Sequence, residues 1–129
     1  MDMDLNQGLA AHLGMRFLET GPERVVAELE IRKELCTLGG AIHGGTLMAL
    51  ADTVGAVGTL AFLEKNPAAG KGTATIESKT NFFAPASSGK VRAESAPLHK
   101  GRRTHVWQTR VTDEKGKLLS LTIQTQMIL

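Results

Sequence analysis

Two features of residues 43–63 have residue types that could do chemistry. His43 is followed by Gly44 and Gly45, and Asp52 comes nine positions after the histidine. Glycines at the start of a helix leave the first N–H groups uncovered, and their positive dipole suits an anion or a developing oxyanion. Asp52 is the only ionisable residue from 44 to 63. A buried carboxylate is costly, so Asp52 is either a functional group or one held by solvent or by a Lys or Arg.

A long helix must position both features. From Thr46 to Leu63 the chain has no proline and places apolar residues on every face, which is typical of a buried helix. Such a helix is roughly 27 Å long, close to the width of a small domain. It is too short, and too interrupted by Asp52 and small polar residues, to indicate a membrane span. One sheet covers only one side, so we expect a second copy of the chain on the other.

The spacing of the two features also bears on assembly. Gly44 and Asp52 lie eight residues apart, which is roughly 12 Å along a helix axis. An oxyanion held at Gly44 would therefore be out of reach of Asp52 in the same chain. A two-fold dimer with antiparallel helices would bring each Asp52 towards the other chain's Gly44. The sequence thus predicts an active site shared across a dimer interface.

The remaining chain predicts one short helix and several strands. Helical spacing runs from Asp4, a candidate N-cap, to Leu13, and Gly14 ends it. After a loop at residues 66–72 the period changes from helix to strand. The predicted strands are 15–18, 24–31, 73–83, 90–96, 104–112 and 118–129, the last with Leu119, Leu121, Ile123 and Met127 on one side. The 129 residues fit one domain, 1–129, of α+β class, with a sheet curling around one helix.

Composition excludes several function classes. With 15 Lys and Arg against 13 Asp and Glu, the net charge of +2 does not favour nucleic acid as a partner. The single Cys36 cannot form an internal disulfide, and the acidic N-terminus has no apolar signal core, so we expect a cytoplasmic protein without a membrane partner. His43, His99 and His105 lack metal-ligand spacing, and nucleotide fingerprints are absent, so neither metal nor cofactor is expected.

Three further candidates have two interpretations each. His43 either polarises a carbonyl or, as we favour, hydrogen-bonds the loop and holds the turn. Cys36 with His43 could form a nucleophile pair, although a free cysteine is usually a small buried hydrophobe. The basic turn Lys100–Arg103 is either a solvated hairpin end or a set of donors for phosphate groups.

The His-Gly-Gly sequence with its carboxylate nine positions later resembles the hot-dog-fold acyl-CoA thioesterases of the phenylacetate-degradation and hydroxybenzoyl-CoA types. The resemblance covers nearly the whole chain, is weakest before residue 15, and includes residues 80–86, 88–91, 97–103 and 113–117. It implies an antiparallel sheet wrapped around one long central helix. It also implies homodimers that pair into tetramers, and metal-free hydrolysis of acyl-CoA.

The resemblance also implies roles for individual residues. Asp52 would be the catalytic carboxylate, as a general base on water or as a nucleophile, and the Gly44 N–H would bind the thioester oxygen. His43 would support that loop, and Thr75 falls where some members use Ser to hold the water. Thr37 stands where the family has Asn or Gln, and its side chain is shorter. The residues expected to face the CoA phosphates are Lys100, Arg102, Arg103 and Thr104.

Two alternatives remain at the level of sequence. An acyl-CoA hydratase or dehydratase on the same fold would pair a histidine with an acid at another spacing. A module that binds acyl-CoA without cleaving it is compatible with Thr37. Small aromatic and medium-chain acyl groups both suit a mostly apolar pocket.

Overall fold

A single long helix lies against one antiparallel sheet in the computed structural model, which describes residues 3–129. The sheet has six strands in the order β1-β2-β4-β5-β6-β3, and every neighbouring pair is antiparallel. The α+β layout predicted from the sequence is therefore confirmed. The elements are α1 Gly8–Leu13, β1 Arg16–Thr20, β2 Val25–Glu30, α2 Gly44–Lys65, β3 Thr73–Phe82, β4 Lys90–Lys100, β5 Thr104–Thr112 and β6 Leu118–Ile128, with single 3-10 turns at Lys33–Leu35 and Pro67–Ala69.

The long helix α2 forms the centre of the core. Leu50, Ala51 and Val54 are completely buried, and Leu50 and Val54 pack in one cluster with apolar side chains of β2, β4 and β5. The helix is long and apolar enough to cross a membrane, but 56% of its most apolar window is buried within this chain. That burial is what the core helix of a folded domain shows.

Two glycines on α2 allow the sheet to approach closely. A Cβ at Gly55 would lie 2.5–2.7 Å from the amide of Gln124, and one at Gly58 would overlap three ring atoms of Trp107. Gln124 and Trp107 face each other in the register of β5 and β6. Glycines one helical turn apart therefore admit two neighbouring side chains of the sheet into the helix surface.

The structure corrects the predicted start of the first helix. Helix α1 begins at Gly8, and its N-cap is Gln7, three residues after the predicted N-cap Asp4. Asp4 instead accepts a hydrogen bond from the backbone N–H of Asn6, because a short acidic side chain can also close a local turn. Gly14 ends the helix as predicted, with the left-handed φ of 80° that favours glycine.

From residue 121 to 127 the last strand has the opposite orientation to the one its apolar residues would favour, whereas Leu119 is completely buried in the core as predicted. Its alternation places Leu121, Ile123 and Met127 on the face that remains partly exposed, and Ile123 is 37% exposed. The side chains turned into the core are polar, and Thr122, Gln124 and Gln126 are completely buried. They hydrogen-bond to one another and to polar groups of α2 and β3, which offsets the cost of burying them, while Gln124 Oε1 has no partner among residues 3–129.

Candidate active site

The loop before α2 is held rigidly by hydrogen bonds at His43. The His43 ring accepts a hydrogen bond from the Gly45 N–H at 2.7 Å through Nδ1, and its carbonyl accepts from the Thr46 N–H at 2.9 Å. The His43 N–H and the Thr46 hydroxyl both donate to the carbonyl of Leu35. His43 is thus the N-cap of α2, the geometry expected of a residue that positions the loop.

Gly44, the first residue of α2, has a backbone N–H with no acceptor among residues 3–129. An N–H at this position has no partner within the helix, and it lies at the positive end of the helix dipole. The Phe82 ring lies beside it, since a Cβ at Gly44 would meet ring atoms at 3.1–3.2 Å. The Gly44 N–H is therefore available to an anion or a carbonyl oxygen.

An apolar cavity opens next to Gly44. Its volume is about 300 Å³, and no charged residue lines it. Phe82 and Phe83, which are 50% and 58% exposed, form one wall. The complete lining is Ala41, Ile42, Gly44, Leu47, Phe82, Phe83, Ala84 and Pro85.

The Asp52 carboxylate is half buried between α2 and the sheet, where it accepts two hydrogen bonds at the same oxygen. The Thr75 hydroxyl lies 2.5 Å from Asp52 Oδ1, and the Gln124 amide nitrogen lies 3.1 Å from that oxygen and 3.2 Å from the Asp52 carbonyl. Within the part of the chain that the structure describes, Oδ2 accepts no hydrogen bond, and no Lys, Arg or His pairs with the carboxylate. The ion pair that would have explained Asp52 as a structural charge is therefore absent from residues 3–129.

Sequence reasoning missed Gln124 and Gln126, the two buried amides behind Asp52. Gln126 accepts a hydrogen bond from Gln124 at 2.8 Å and donates to the Thr73 hydroxyl at 3.0 Å. The available signal was the set of polar side chains at every second position, Thr122, Gln124 and Gln126, with Leu121, Ile123 and Met127 on the other face. It resembles the solvent-facing side of a half-buried strand, and only the strand's orientation shows that it faces the core.

The structure keeps Gly44 and Asp52 apart within one chain. Both lie on the uninterrupted helix α2, eight residues from each other, so the axial separation is roughly 12 Å. Thr75 lies against Asp52.

Thr37 lies in an exposed turn and forms no hydrogen bond with Asp52 or Thr75 among residues 3–129. Its hydroxyl accepts a hydrogen bond from the Gly39 N–H at 3.2 Å. Cys36 donates its thiol hydrogen to the carbonyl of Arg32, which is the ordinary behaviour of a structural cysteine.

The four residues expected at the CoA phosphates differ in their surroundings. Lys100 forms an ion pair with Glu23 and lies 5.5 Å from the centre of the Phe62 ring, so its charge is already engaged. Arg102 and Arg103 are exposed and form no ion pair among the described residues. Both line a cavity of about 440 Å³ with Phe62, Ala68, Ala69, Gly101 and Ile128. Thr104 begins β5 at its edge, where its carbonyl accepts from the Gly101 N–H.

His105 is a buried titratable group close to this basic turn. It is completely buried, its Nδ1 lies 3.0 Å from the Thr59 hydroxyl, and the Phe62 ring meets it edge-on. Burial lowers the pKa of His105 from 6.5, and the nearby positive charges of Lys100 and His99 lower it further. The neutral imidazole is therefore the stable form inside the fold.

Comparisons with known proteins agree with this arrangement. Residues 39–120 match the sequence profile of the thioesterase superfamily. The chain is 34% identical over 109 residues to the proofreading thioesterase EntH of Klebsiella pneumoniae, covering 84% of this chain and 77% of EntH. It is 31% identical over 110 residues to Rv1847 of Mycobacterium tuberculosis, which carries an esterase name. The match covers 85% of this chain and 78% of Rv1847.

Solved structures give the fold. The structure of thioesterase HI1161 from Haemophilus influenzae superposes with a TM-score of 0.88 at 26% identity, covering all of this chain and 92% of that one. Both the fold and the matched profile therefore agree with the resemblance noted in the sequence. An antiparallel sheet wrapped around a buried helix, a free N–H at the start of that helix and the match over residues 39–120 together place this chain in the thioesterase superfamily, as a thioester hydrolase of the hot-dog fold.

Proposed function

We propose that this protein hydrolyses the thioester of a small aromatic or medium-chain acyl-CoA to the free acid and CoA, using Asp52 of one subunit and the Gly44 N–H of another. The observation that carries the proposal is the half-buried carboxylate of Asp52, which pairs with no cation among residues 3–129 and whose Oδ1 is held by Thr75 and Gln124. A carboxylate held in this way is ready to act through its other oxygen.

The chemistry needs an oxyanion site that the same chain's Asp52 does not reach. In the transition state the thioester carbonyl oxygen becomes negative, and the Gly44 N–H would donate to it at the positive end of α2. Because the two groups are roughly 12 Å apart on one rigid helix, a second subunit must supply one of them. We therefore propose a homodimer with antiparallel central helices, and a pairing of such dimers into tetramers.

The surface around this region supports the dimer. Strand β3 is an edge strand, so no other strand of residues 3–129 pairs with one side of its backbone. Ile76 and Phe82 on that strand and Phe83 just after it are 50–58% exposed, and Met48 of α2 is 36% exposed. A cluster of exposed apolar side chains beside an unpaired strand edge is the kind of surface that a second copy covers.

The two halves of the substrate have separate places in this proposal. The apolar cavity beside Gly44 would take the acyl group, since no charged residue lines it and an apolar acyl group suits such a lining. The cavity lined by Arg102 and Arg103 would take phosphate groups of CoA, to which guanidinium groups bind with two parallel hydrogen bonds. Lys100, already paired with Glu23, would contribute mainly to the positive potential.

Asp52 could serve the reaction by two routes. As a general base, Oδ2 takes a proton from water, the water oxygen bonds to the carbonyl carbon, the C–S bond breaks and the proton passes to the CoA sulfur. As a nucleophile, Oδ2 bonds to the carbonyl carbon, expels CoA and forms an anhydride that water then opens. Label in Asp52 after a single turnover in ¹⁸O-water would establish the nucleophilic route, because only an anhydride allows water to attack the Asp52 carbon.

The test is a thiol-release assay over aromatic and aliphatic acyl-CoAs, made with the wild-type protein, Asp52→Ala and a control. We expect Asp52→Ala to lose most hydrolysis while its oligomeric state, measured by light scattering, is unchanged. Glu64→Gln removes an exposed carboxylate at the far end of the same helix and should keep wild-type turnover. Wild-type turnover by Asp52→Ala, or no thiol release from any acyl-CoA by the wild type, would reject the proposal.

The protein is proposed to act in the cytoplasm.

A further inference from the structure

A buried amide beside Asp52 is held in a single orientation. The Gln124 amide nitrogen has two protons. One is directed to Asp52, where the nitrogen lies 3.1 Å from Oδ1 and 3.2 Å from the carbonyl oxygen. The other points to Gln126 Oε1 at 2.8 Å. A reversed amide would bring its oxygen against both of these acceptors, so the network assigns the nitrogen to this side.

The surroundings of Gln124 leave it no room to move. Its side chain is completely buried and occupies the space that a Cβ at Gly55 would fill. Gln126 anchors it from behind, because its own amide donates to the Thr73 hydroxyl, which donates to the carbonyl of Met127 at 2.8 Å. A notch in α2 and a fixed chain of hydrogen bonds along β3 and β6 thus lock the Gln124 amide.

The consequence falls on Asp52. With donors from both Thr75 and Gln124 on Oδ1, rotation of the carboxylate about its last bond would break both hydrogen bonds. Oδ2 is left as the oxygen free to react. We propose that Gln124, anchored by Gln126, is a positioning residue for Asp52 that fixes which carboxylate oxygen faces the thioester; this inference rests on the proposed function.

The main test is Gln124→Met, which keeps the length and apolar volume of the side chain but removes the donor. Because small misplacements of a catalytic group cost rate rather than ground-state binding, we expect kcat to fall by about 10- to 100-fold while KM stays within about twofold. Gln126→Met removes the anchor, and with it the acceptor 2.6 Å from the Thr75 hydroxyl, but it leaves the contact between Gln124 and Asp52, so its loss should be smaller. It also keeps the test usable if Gln124→Met folds poorly.

A matched control lies on the same strand and face. Thr122 is completely buried and hydrogen-bonds to the Thr80 hydroxyl at 2.7 Å, away from Asp52. Thr122→Val removes a buried hydrogen bond of the same sheet without touching the carboxylate, and it should keep wild-type kcat. Thermal melting of all the variants by circular dichroism compares their folding.

A second arm separates positioning from a merely structural role. If Gln124 acts through Asp52, adding Gln124→Met to Asp52→Ala should leave the residual rate of Asp52→Ala unchanged. A loss of equal size in both backgrounds, or wild-type kcat for Gln124→Met, would overturn the inference while the proposed function stands. Wild-type turnover by Asp52→Ala would instead reject the proposed function itself.

Discussion

The Thr75 hydroxyl lies between two acceptors, 2.5 Å from Asp52 Oδ1 and 2.6 Å from Gln126 Oε1. A hydroxyl has one proton, so it donates to only one of them at a time, and the charged carboxylate is the stronger acceptor. Thr75 is therefore a hydrogen-bond donor to Asp52 that keeps a second acceptor within reach.

This geometry predicts different results for two substitutions of Thr75. Thr75→Val removes the hydroxyl at nearly constant volume and should lower kcat about tenfold, because one of the two donors to Oδ1 is lost. Thr75→Ser keeps the hydroxyl and should stay within about threefold of the wild type. Steady-state thiol release measures both, and equal rates for the two variants would show that the hydroxyl has no part in turnover.

The N–H of Gly44 can be removed without breaking the helix. Gly44 is the first helical residue, a position that proline readily occupies. The residue before it, His43, has a ψ of 136°, which is the extended conformation that a residue before proline prefers. Gly44→Pro should therefore fold and lose about 100-fold in kcat, the usual effect of one oxyanion donor. Gly44→Ala is the control, since it adds a similar Cβ beside Phe82 but keeps the N–H. A loss of the same size in Gly44→Ala would assign the effect to crowding by the Cβ.

A shared site predicts complementation between two inactive proteins. When Asp52→Ala and Gly44→Pro are unfolded together and refolded, each mixed dimer would contain one site with an intact Gly44 and an intact Asp52. Activity should return to a substantial fraction of the wild-type value. If both groups act within one chain, every site in the mixture carries one defect and activity stays at the level of the separate variants.

The contact between Gly58 and Trp107 predicts a large loss of stability on adding one methyl group. Alanine is normally the better helix former by about 1 kcal/mol. At Gly58 its Cβ would overlap three atoms of the buried indole, and such overpacking costs about 1–3 kcal/mol or more. We expect Gly58→Ala to lower the melting temperature by roughly 5–10 °C. The loss should shrink in a Trp107→Phe background, where the smaller ring leaves room for the methyl group.

Burial of His105 predicts a pH dependence of stability. Its pKa is below the ordinary 6.5 in the folded chain, mainly because of desolvation. As the pH falls below 6.5 the unfolded chain binds a proton that the native one does not, so this contribution is complete above 6.5 and is lost on acidification. The melting temperature of the wild type should fall more steeply from pH 7 to pH 5 than that of His105→Gln. Parallel slopes would contradict this.

Local sequence patterns determined the central helix and its two chemical features. Apolar residues on every face and the absence of proline predicted a buried helix, and α2 spans Gly44–Lys65. The His-Gly-Gly start predicted uncovered N–H groups and a histidine that holds the turn. Among residues 3–129 the Gly44 N–H has no acceptor, whereas the Gly45 N–H donates to the His43 ring. These properties depend on interactions between residues a few positions apart, so they can be predicted from the sequence.

Only the tertiary structure decided which side chains surround Asp52. Alternation in β6 shows that two faces differ, but it does not say which one is buried, and the polar face is stable inside because α2 and β3 supply hydrogen-bond partners. Gln124 reaches Asp52 from 72 positions away in the chain, and Lys100 is engaged by Glu23 across 77. Such contacts arise from strand register and helix packing, which no local pattern specifies.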